Sequence, residues 1–165
     1  MKILIYGLPG SGKTTLAKPL AELLGGVHIN ADEVRQRYEG HDQKKWDFSY
    51  EGRLRQANRM RHLADGVVMA GKIAVADFVA PTEKARLEFG ADFTVWMDTI
   101  EEGRYADTNA VFEKPNIGWS GVDYHVAQWF DDTHVQLIPI IERYMKKNSS
   151  TQVGYSAWRL EQENV

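Results

Sequence analysis

The chain contains no cysteine, which removes three chemistries at once: disulfide bridges, thiolate-ligated zinc and a thiol nucleophile. No apolar run approaches the roughly 18–20 residues that span a bilayer, so no membrane-spanning helix is expected. Positive charge is not in excess either. Lysine and arginine number 20 against 23 aspartates and glutamates, a net charge of −3. That excludes a generally basic coat for nucleic acid and leaves room only for a local basic patch. Linker-like, repetitive and low-complexity stretches are absent. The six residues before the first glycine are too few for a secretory signal, and a cytoplasmic location is the expectation. What is present is an ordinary globular composition, 43% hydrophobic and 26% charged over 165 residues. It is enough for one domain, residues 1–165, with a real core.

Along the chain, strand signals alternate with helix signals. Residues 3–6 form a short apolar run ended by Gly7 and read as a buried strand. Residues 14–24 place Leu16, Leu20, Leu23 and Leu24 at helical spacing before Gly25 and Gly26, with Pro19 inside. A second strand is expected at 27–30 and a short helix or turn at 32–38. The longest helix is expected at 49–70, with Leu54, Ala57, Met60, Ala64, Val67 and Val68 as its stripe. A strand at 73–76 closes on Asp77. A helix at 81–89 carries Pro81 in its first turn, and a strand at 93–97 closes on Asp98. Residues 101–123 lack a clear period and hold Gly103, Pro115, Gly118 and Gly121, so they read as a lid loop over a site. Residues 126–147 read as a helix interrupted at Pro139. The tail, 148–165, reads ambiguously, with a last strand over 153–160 as one reading. The fold class is therefore α/β, a mostly parallel sheet with helices on both faces. Ligands in such sheets bind beyond the C-terminal strand ends, where Gly7, Asp32, Asp77 and Phe78 fall.

The strongest chemical signal is Gly7-Leu8-Pro9-Gly10-Ser11-Gly12-Lys13-Thr14, a complete G-x-x-x-x-G-K-[ST] phosphate loop between a strand and a helix. Glycines let backbone N–H groups converge on phosphate oxygens, and the helix N-terminus adds the positive end of its dipole. Lys13 is expected at the β and γ phosphates, and the Thr14 hydroxyl at Mg²⁺. Gly7, Pro9, Gly10, Ser11, Gly12, Lys13, Thr14 and Thr15 are the candidate ATP-binding residues. The N-K-x-D motif that a GTPase would use to read guanine is absent, and the chain leaves little room for motor or oligomerisation modules. A small phosphate-loop kinase, with the P-loop NTPase fold, is what remains.

The segment His28-Ile29-Asn30-Ala31-Asp32-Glu33-Val34-Arg35 resembles two related kinase families at this position. Adenylylsulfate kinases carry D-G-D-x-x-R, and 5′-hydroxyl polynucleotide kinases carry N-x-D-x-x-R. Asp32 and Arg35 match both, while Asn30 matches the second. The resemblance implies that Asp32 accepts the acceptor hydroxyl's proton and that Arg35 holds an acceptor phosphate. Phe48-Ser49 with Arg53 resembles the F-S-x-x-x-R of adenylylsulfate kinases, in which the Phe stacks on adenine and an R-x-x-N pair binds the phosphosulfate region. Gln56 stands where that Asn would be. Asp77-Phe78-Val79-Ala80-Pro81 resembles the family's S-F-I-S-P in Phe78 and Pro81. Asp77 itself is similar to the S-D-T-N of the polynucleotide kinases, and its carboxylate is a candidate magnesium-side group.

Asp98-Thr99 matches a family D-T pair before the lid. Arg104 and Lys114 are candidate phosphate clamps in it, and Trp119-Ser120-Gly121-Val122-Asp123 resembles F-T-G-I-D, implying that Trp119 faces Phe48 across a base. Arg53, Arg55, Arg59 and Arg61 form the most basic cluster, read either as a solvated helix face or as a contact for an anionic acceptor or nucleic-acid backbone. The five histidines show no metal-ligand spacing. The resemblance, over residues 3–125, implies ATP- and Mg²⁺-dependent transfer of the γ-phosphate to the 3′-hydroxyl of adenosine 5′-phosphosulfate. The alternative acceptor is DNA, at a 5′-hydroxyl or at a hydroxymethyl group on a pyrimidine, as in virus-encoded kinases that modify DNA bases. A homodimer is one assembly such a kinase could form.

Overall fold

The structure is a computed structural model that describes residues 1–116 and 122–163, with side chains described through residue 148. Its centre is a five-stranded parallel sheet of β1 (Lys2–Gly7), β2 (Val27–Asn30), β3 (Ala74–Asp77), β4 (Phe93–Met97) and β5 (Tyr124–Val126), in the order β2-β3-β1-β4-β5. Among the described residues six α-helices connect or flank them: α1 (Lys13–Leu23), α2 (Ala31–Glu39), α3 (Tyr50–Met69), α4 (Glu83–Phe89), α5 (Ala106–Val111) and α6 (Thr133–Glu163).

The central strands β1, β3 and β4 are buried almost throughout because both faces of the sheet are covered there. Successive side chains point to opposite faces. Leu4, Tyr6, Ala76, Phe78 and Trp96 fall on one face and pack with Ala57, Met60 and Ala64 of α3 and Ala85 and Phe89 of α4. Ile3, Ile5, Val75, Phe93, Val95 and Met97 fall on the other, with Leu16 and Leu20 of α1 and Leu137 and Ile141 of α6. Ile3, Leu4, Ile5 and Tyr6 are fully buried, so β1 is the axis of the core. Burial pushes the Tyr6 phenol up to about 12, with Arg86 pulling it down and Asp123 adding to the rise.

β1 pairs with β3 on one side and β4 on the other. The chain therefore reverses its direction of travel across the sheet at β1, and the loop after β1 opens at that switch point. Side-chain caps start α2 and α3, whereas α1 opens on Gly12 without one. Asn30 Oδ1 accepts from Glu33 N at 3.1 Å on α2, and Ser49 Oγ accepts from Gly52 N at 3.1 Å on α3.

Four expectations are corrected. The tail strand over 153–160 does not form, because α6 runs unbroken to Glu163. Residue 126 does not open a helix. It ends the three-residue strand β5, which pairs with β4, and the helix starts at Thr133. Pro139 lies within α6 without ending it. Proline forfeits one intrahelical bond, a cost that packing of Leu137 and Ile141 in the core offsets. The expected lid, 101–123, is not wholly irregular, since it contains α5.

Candidate functional site

The turn after β1 requires glycine by steric contact and by backbone. A Cβ on Gly7 would stand 2.5 Å from the Met97 carbonyl oxygen of the neighbouring strand. Gly12, at φ 94°, lies in the left-handed region as it caps α1. Lys13 is folded back along the loop, its Nζ donating to the Leu8 carbonyl at 2.9 Å. Burial lowers its ammonium to about 8, against the pull of Asp77 and Asp32 and with the help of Arg104. The Ser11 Oγ is buried inside the loop with no hydrogen-bond partner among the described residues. Thr99 Oγ1, just after β4, donates to the Ser11 carbonyl at 2.7 Å and fixes the loop from outside.

Beside the loop lies a cluster built from β2, β3 and α1. Asn30 and Asp77 are register partners on adjacent strands. Thr14 Oγ1 donates to Asp77 Oδ1 at 3.1 Å, and Asn30 Nδ2 donates to Thr14 Oγ1 at 3.2 Å and to Asp77 Oδ1 at 3.3 Å. His28 Nε2 meets Asp77 Oδ2. His28 lies two residues before Asn30, on the same face of β2, and strand alternation was the signal that could have placed it here. Thr14 and Asp77 offer the hard oxygen donors that suit Mg²⁺. Among the described residues no three acidic or histidine side chains gather to hold a metal by themselves, so phosphate oxygens and water would complete the shell. The residues present fit the ion on those terms.

A cavity of about 730 Å³ runs from Gly10, Lys13, Thr14 and Thr15 past Asp32 to Phe48, Arg53 and Phe78. Asp32 sits on the first turn of α2 with its side chain exposed towards it. Arg104 also lines it, as do Trp46, Lys44 and Tyr105, which the sequence reading did not single out. Trp46 precedes Phe48 by two residues in an extended stretch, and that spacing was the available signal. Its ring lies 6.3 Å from that of Phe48, and its Nε1 donates to the Gly40 carbonyl at 2.8 Å. Phe78 follows β3 into a loop where Ala80 takes φ 42°, an uncommon value without glycine. Arg86 Nε holds that loop by donating to the Ala80 carbonyl at 2.9 Å.

Three other expected site residues, Arg35, Gln56 and Lys114, do not line the cavity. Arg35 is buried. Its Nη1 donates to Glu39 Oε2 at 2.7 Å and to the Asp47 carbonyl at 3.0 Å, and its guanidinium lies 4.5 Å from the centre of the Phe48 ring. It supports Phe48 from behind, and burial lowers its pKa against the opposing pull of Glu39. Burial alone would raise Glu39, yet the Asp47 amide, Arg59 and Arg35 hold it below its ordinary value. Gln56 is buried and donates to the Ala31 carbonyl at 2.9 Å, packing α3 onto the start of α2. Arg53 lines the cavity and reaches α5, where Nη2 donates to Thr108 Oγ1 at 3.1 Å, while its Nε donates to the Phe48 carbonyl. Lys114 is exposed and does not line the cavity. Trp119 lies outside the described residues.

Comparison with known proteins fits this geometry. The chain is 36% identical over 87 residues to a probable adenylyl-sulfate kinase of Aeropyrum pernix, an overlap covering 50% of this chain. The chain spans only 45% of that relative's length. Its fold is similar to that of the Mycobacterium tuberculosis APS kinase solved with AMPPNP and APS, with a TM-score of 0.66 at 18% identity over 86% of this chain and 96% of that one. It is similar in the same way to the shikimate kinase of Aquifex aeolicus, with a TM-score of 0.59 at 20% identity over 90% and 98% of the two chains. A family model described as an AAA domain matches residues 3–93, from β1 through the start of β4, and the chain belongs to that family.

Proposed function

We propose that this chain is an ATP-dependent kinase that transfers the γ-phosphate to an alcohol, with adenosine 5′-phosphosulfate as the acceptor and its 3′-hydroxyl as the site. The observation that carries the reading is the single cavity in which the phosphate loop meets an exposed carboxylate, Asp32, and a wall of Phe48, Phe78 and Arg53. One end suits a triphosphate and the other an aromatic anion. In the proposed step the acceptor oxygen gives its proton to Asp32 and forms the new O–P bond as the bond between the β and γ phosphates breaks, releasing ADP. Lys13 meets the charge on the phosphate oxygens. Thr14 and Asp77 would hold Mg²⁺, which supplies positive charge opposite those oxygens. Arg53 and Arg104, which line the cavity, would meet the acceptor anion, with Arg35 acting through Phe48.

The relative in Aeropyrum pernix supports the sulfate acceptor. The arginine helix supports a small acceptor over a polymer. Arg55 is paired with Asp47, Arg59 meets Glu39 at 2.8 Å, and Arg61 meets Glu88 at 3.7 Å, so that face carries less net charge than its arginines suggest. Asn30 and Asp77, which are similar to the polynucleotide kinases, favour the DNA acceptor as the second reading. ADP formation with adenosine 5′-phosphosulfate, 5′-hydroxyl oligonucleotides and hydroxymethyluracil DNA separates them. Turnover with the small nucleotide, weakly dependent on salt, is expected. Turnover with DNA alone, falling steeply with salt, would replace the acceptor assignment.

A further inference from the structure

Asn30 joins Thr14, Asp77 and the start of α2 with one side chain. Its Oδ1 caps α2, whose second residue is Asp32. Its Nδ2 reaches Thr14 Oγ1 at 3.2 Å and the two Asp77 oxygens at 3.3 and 3.4 Å. These contacts decide where the Thr14 hydroxyl points. A hydroxyl has one proton and two lone pairs. Thr14 gives its proton to Asp77 Oδ1 and takes an Asn30 amide hydrogen on one lone pair, which leaves the other for the cavity. His28 engages the second Asp77 oxygen, so the carboxylate is held from both sides.

Among the short side chains that cap helices, only asparagine can accept from the helix and donate to a hydroxyl and a carboxylate together. Aspartate would keep the cap but set a second carboxylate against Asp77, and serine would keep the cap without the N–H groups. We propose that Asn30 is a positioning residue that aims the Thr14 hydroxyl at a divalent cation and locks the helix bearing Asp32 to that point. The part concerning Asp32 rests on the kinase reading above, whereas the part concerning Thr14 does not.

The test uses Asn30→Ser, which keeps the cap and loses the amide, and Asn30→Ala, which loses both. Calorimetry follows AMPPNP binding as Mg²⁺ is varied, with binding in EDTA and thermal melting measured alongside. For Asn30→Ser the half-saturating Mg²⁺ should rise about five- to tenfold, the weight of one hydrogen bond. Its binding in EDTA should stay within about twofold and its melting close to wild type, while Asn30→Ala should also melt earlier. An Asn30→Ser protein that titrates with Mg²⁺ like wild type would overturn the proposal. So would one that loses binding equally with and without Mg²⁺, because that is a purely structural effect. If the Mg²⁺ shift appears while wild type turns over none of the alcohol acceptors, the kinase reading fails and the Thr14 assignment stands.

Discussion

Lys13 ties the electrostatics of the loop to a measurable proton. In the free protein its ammonium is lowered to about 8 from an ordinary 10.5, first by burial, and a triphosphate at the loop reverses the balance by supplying charge for it to meet. Binding should therefore take up protons. Half of the Lys13 side chains are neutral at pH 8, so uptake should be about 0.5 proton per nucleotide there, falling to about 0.1 at pH 7 and rising to about 0.9 at pH 9. Affinity should weaken above pH 8 by up to about tenfold per pH unit. Calorimetry of Mg²⁺·AMPPNP binding in two buffers of different ionisation enthalpy measures the uptake directly. The same shift has the opposite consequence for folding. A lysine whose folded value lies below its unfolded one opposes folding fully below pH 8, and the penalty is relieved as pH rises from 8 to 10.5. Zero uptake across pH 7–9, or uptake that persists in Lys13→Met, would refute the reasoning.

Further outcomes follow from the cavity wall and the residues behind it. Glu39→Gln leaves the buried Arg35 without its ion pair and weakens the hold on Asp47, and should cost about 3 kcal/mol, or about 6–12 °C in thermal melting. Because Glu39 is held below its ordinary value, its contribution is present above the usual carboxylate range and is lost as pH falls through the depressed value. Hydrogen exchange of residues 39–48 should accelerate there, and an unchanged exchange rate would contradict this. Phe48→Ala removes a half-exposed ring that Arg35 and Arg53 support at 4.5 and 5.4 Å. It should raise the KM for a nucleotide acceptor about tenfold while AMPPNP affinity stays unchanged, as competition titrations would show.

Much of this arrangement was legible in the sequence because its signals are local. The strands at 3–6 and 93–97 are largely apolar runs cut by glycine or aspartate, and the phosphate loop is a contiguous motif. What escaped depends on contacts between distant segments. β5 is three residues long, too short for an alternation, and exists only because β4 offers an edge. The tail, with Val153, Tyr155 and Trp158, has the composition of a strand, yet it continues a helix already nucleated at Thr133. Arg35 reads as a free cation in sequence. Its partner Glu39 lies four residues on, at the spacing that brings side chains together on a helix, and the carbonyl of Asp47 completes the trap. The pairing of Asn30 with Asp77 could not be read before the strand order was known.

The central claim is that Asp32 takes the proton of an alcohol during transfer from ATP. Its most direct test is the rate of acceptor-dependent ADP formation by Asp32→Asn, with AMPPNP binding as the control. The account predicts a fall in kcat of about 10²–10⁴-fold with AMPPNP affinity unchanged within about twofold. A variant that keeps its rate within about tenfold, or a wild-type protein whose ADP formation ignores the acceptor, would contradict it.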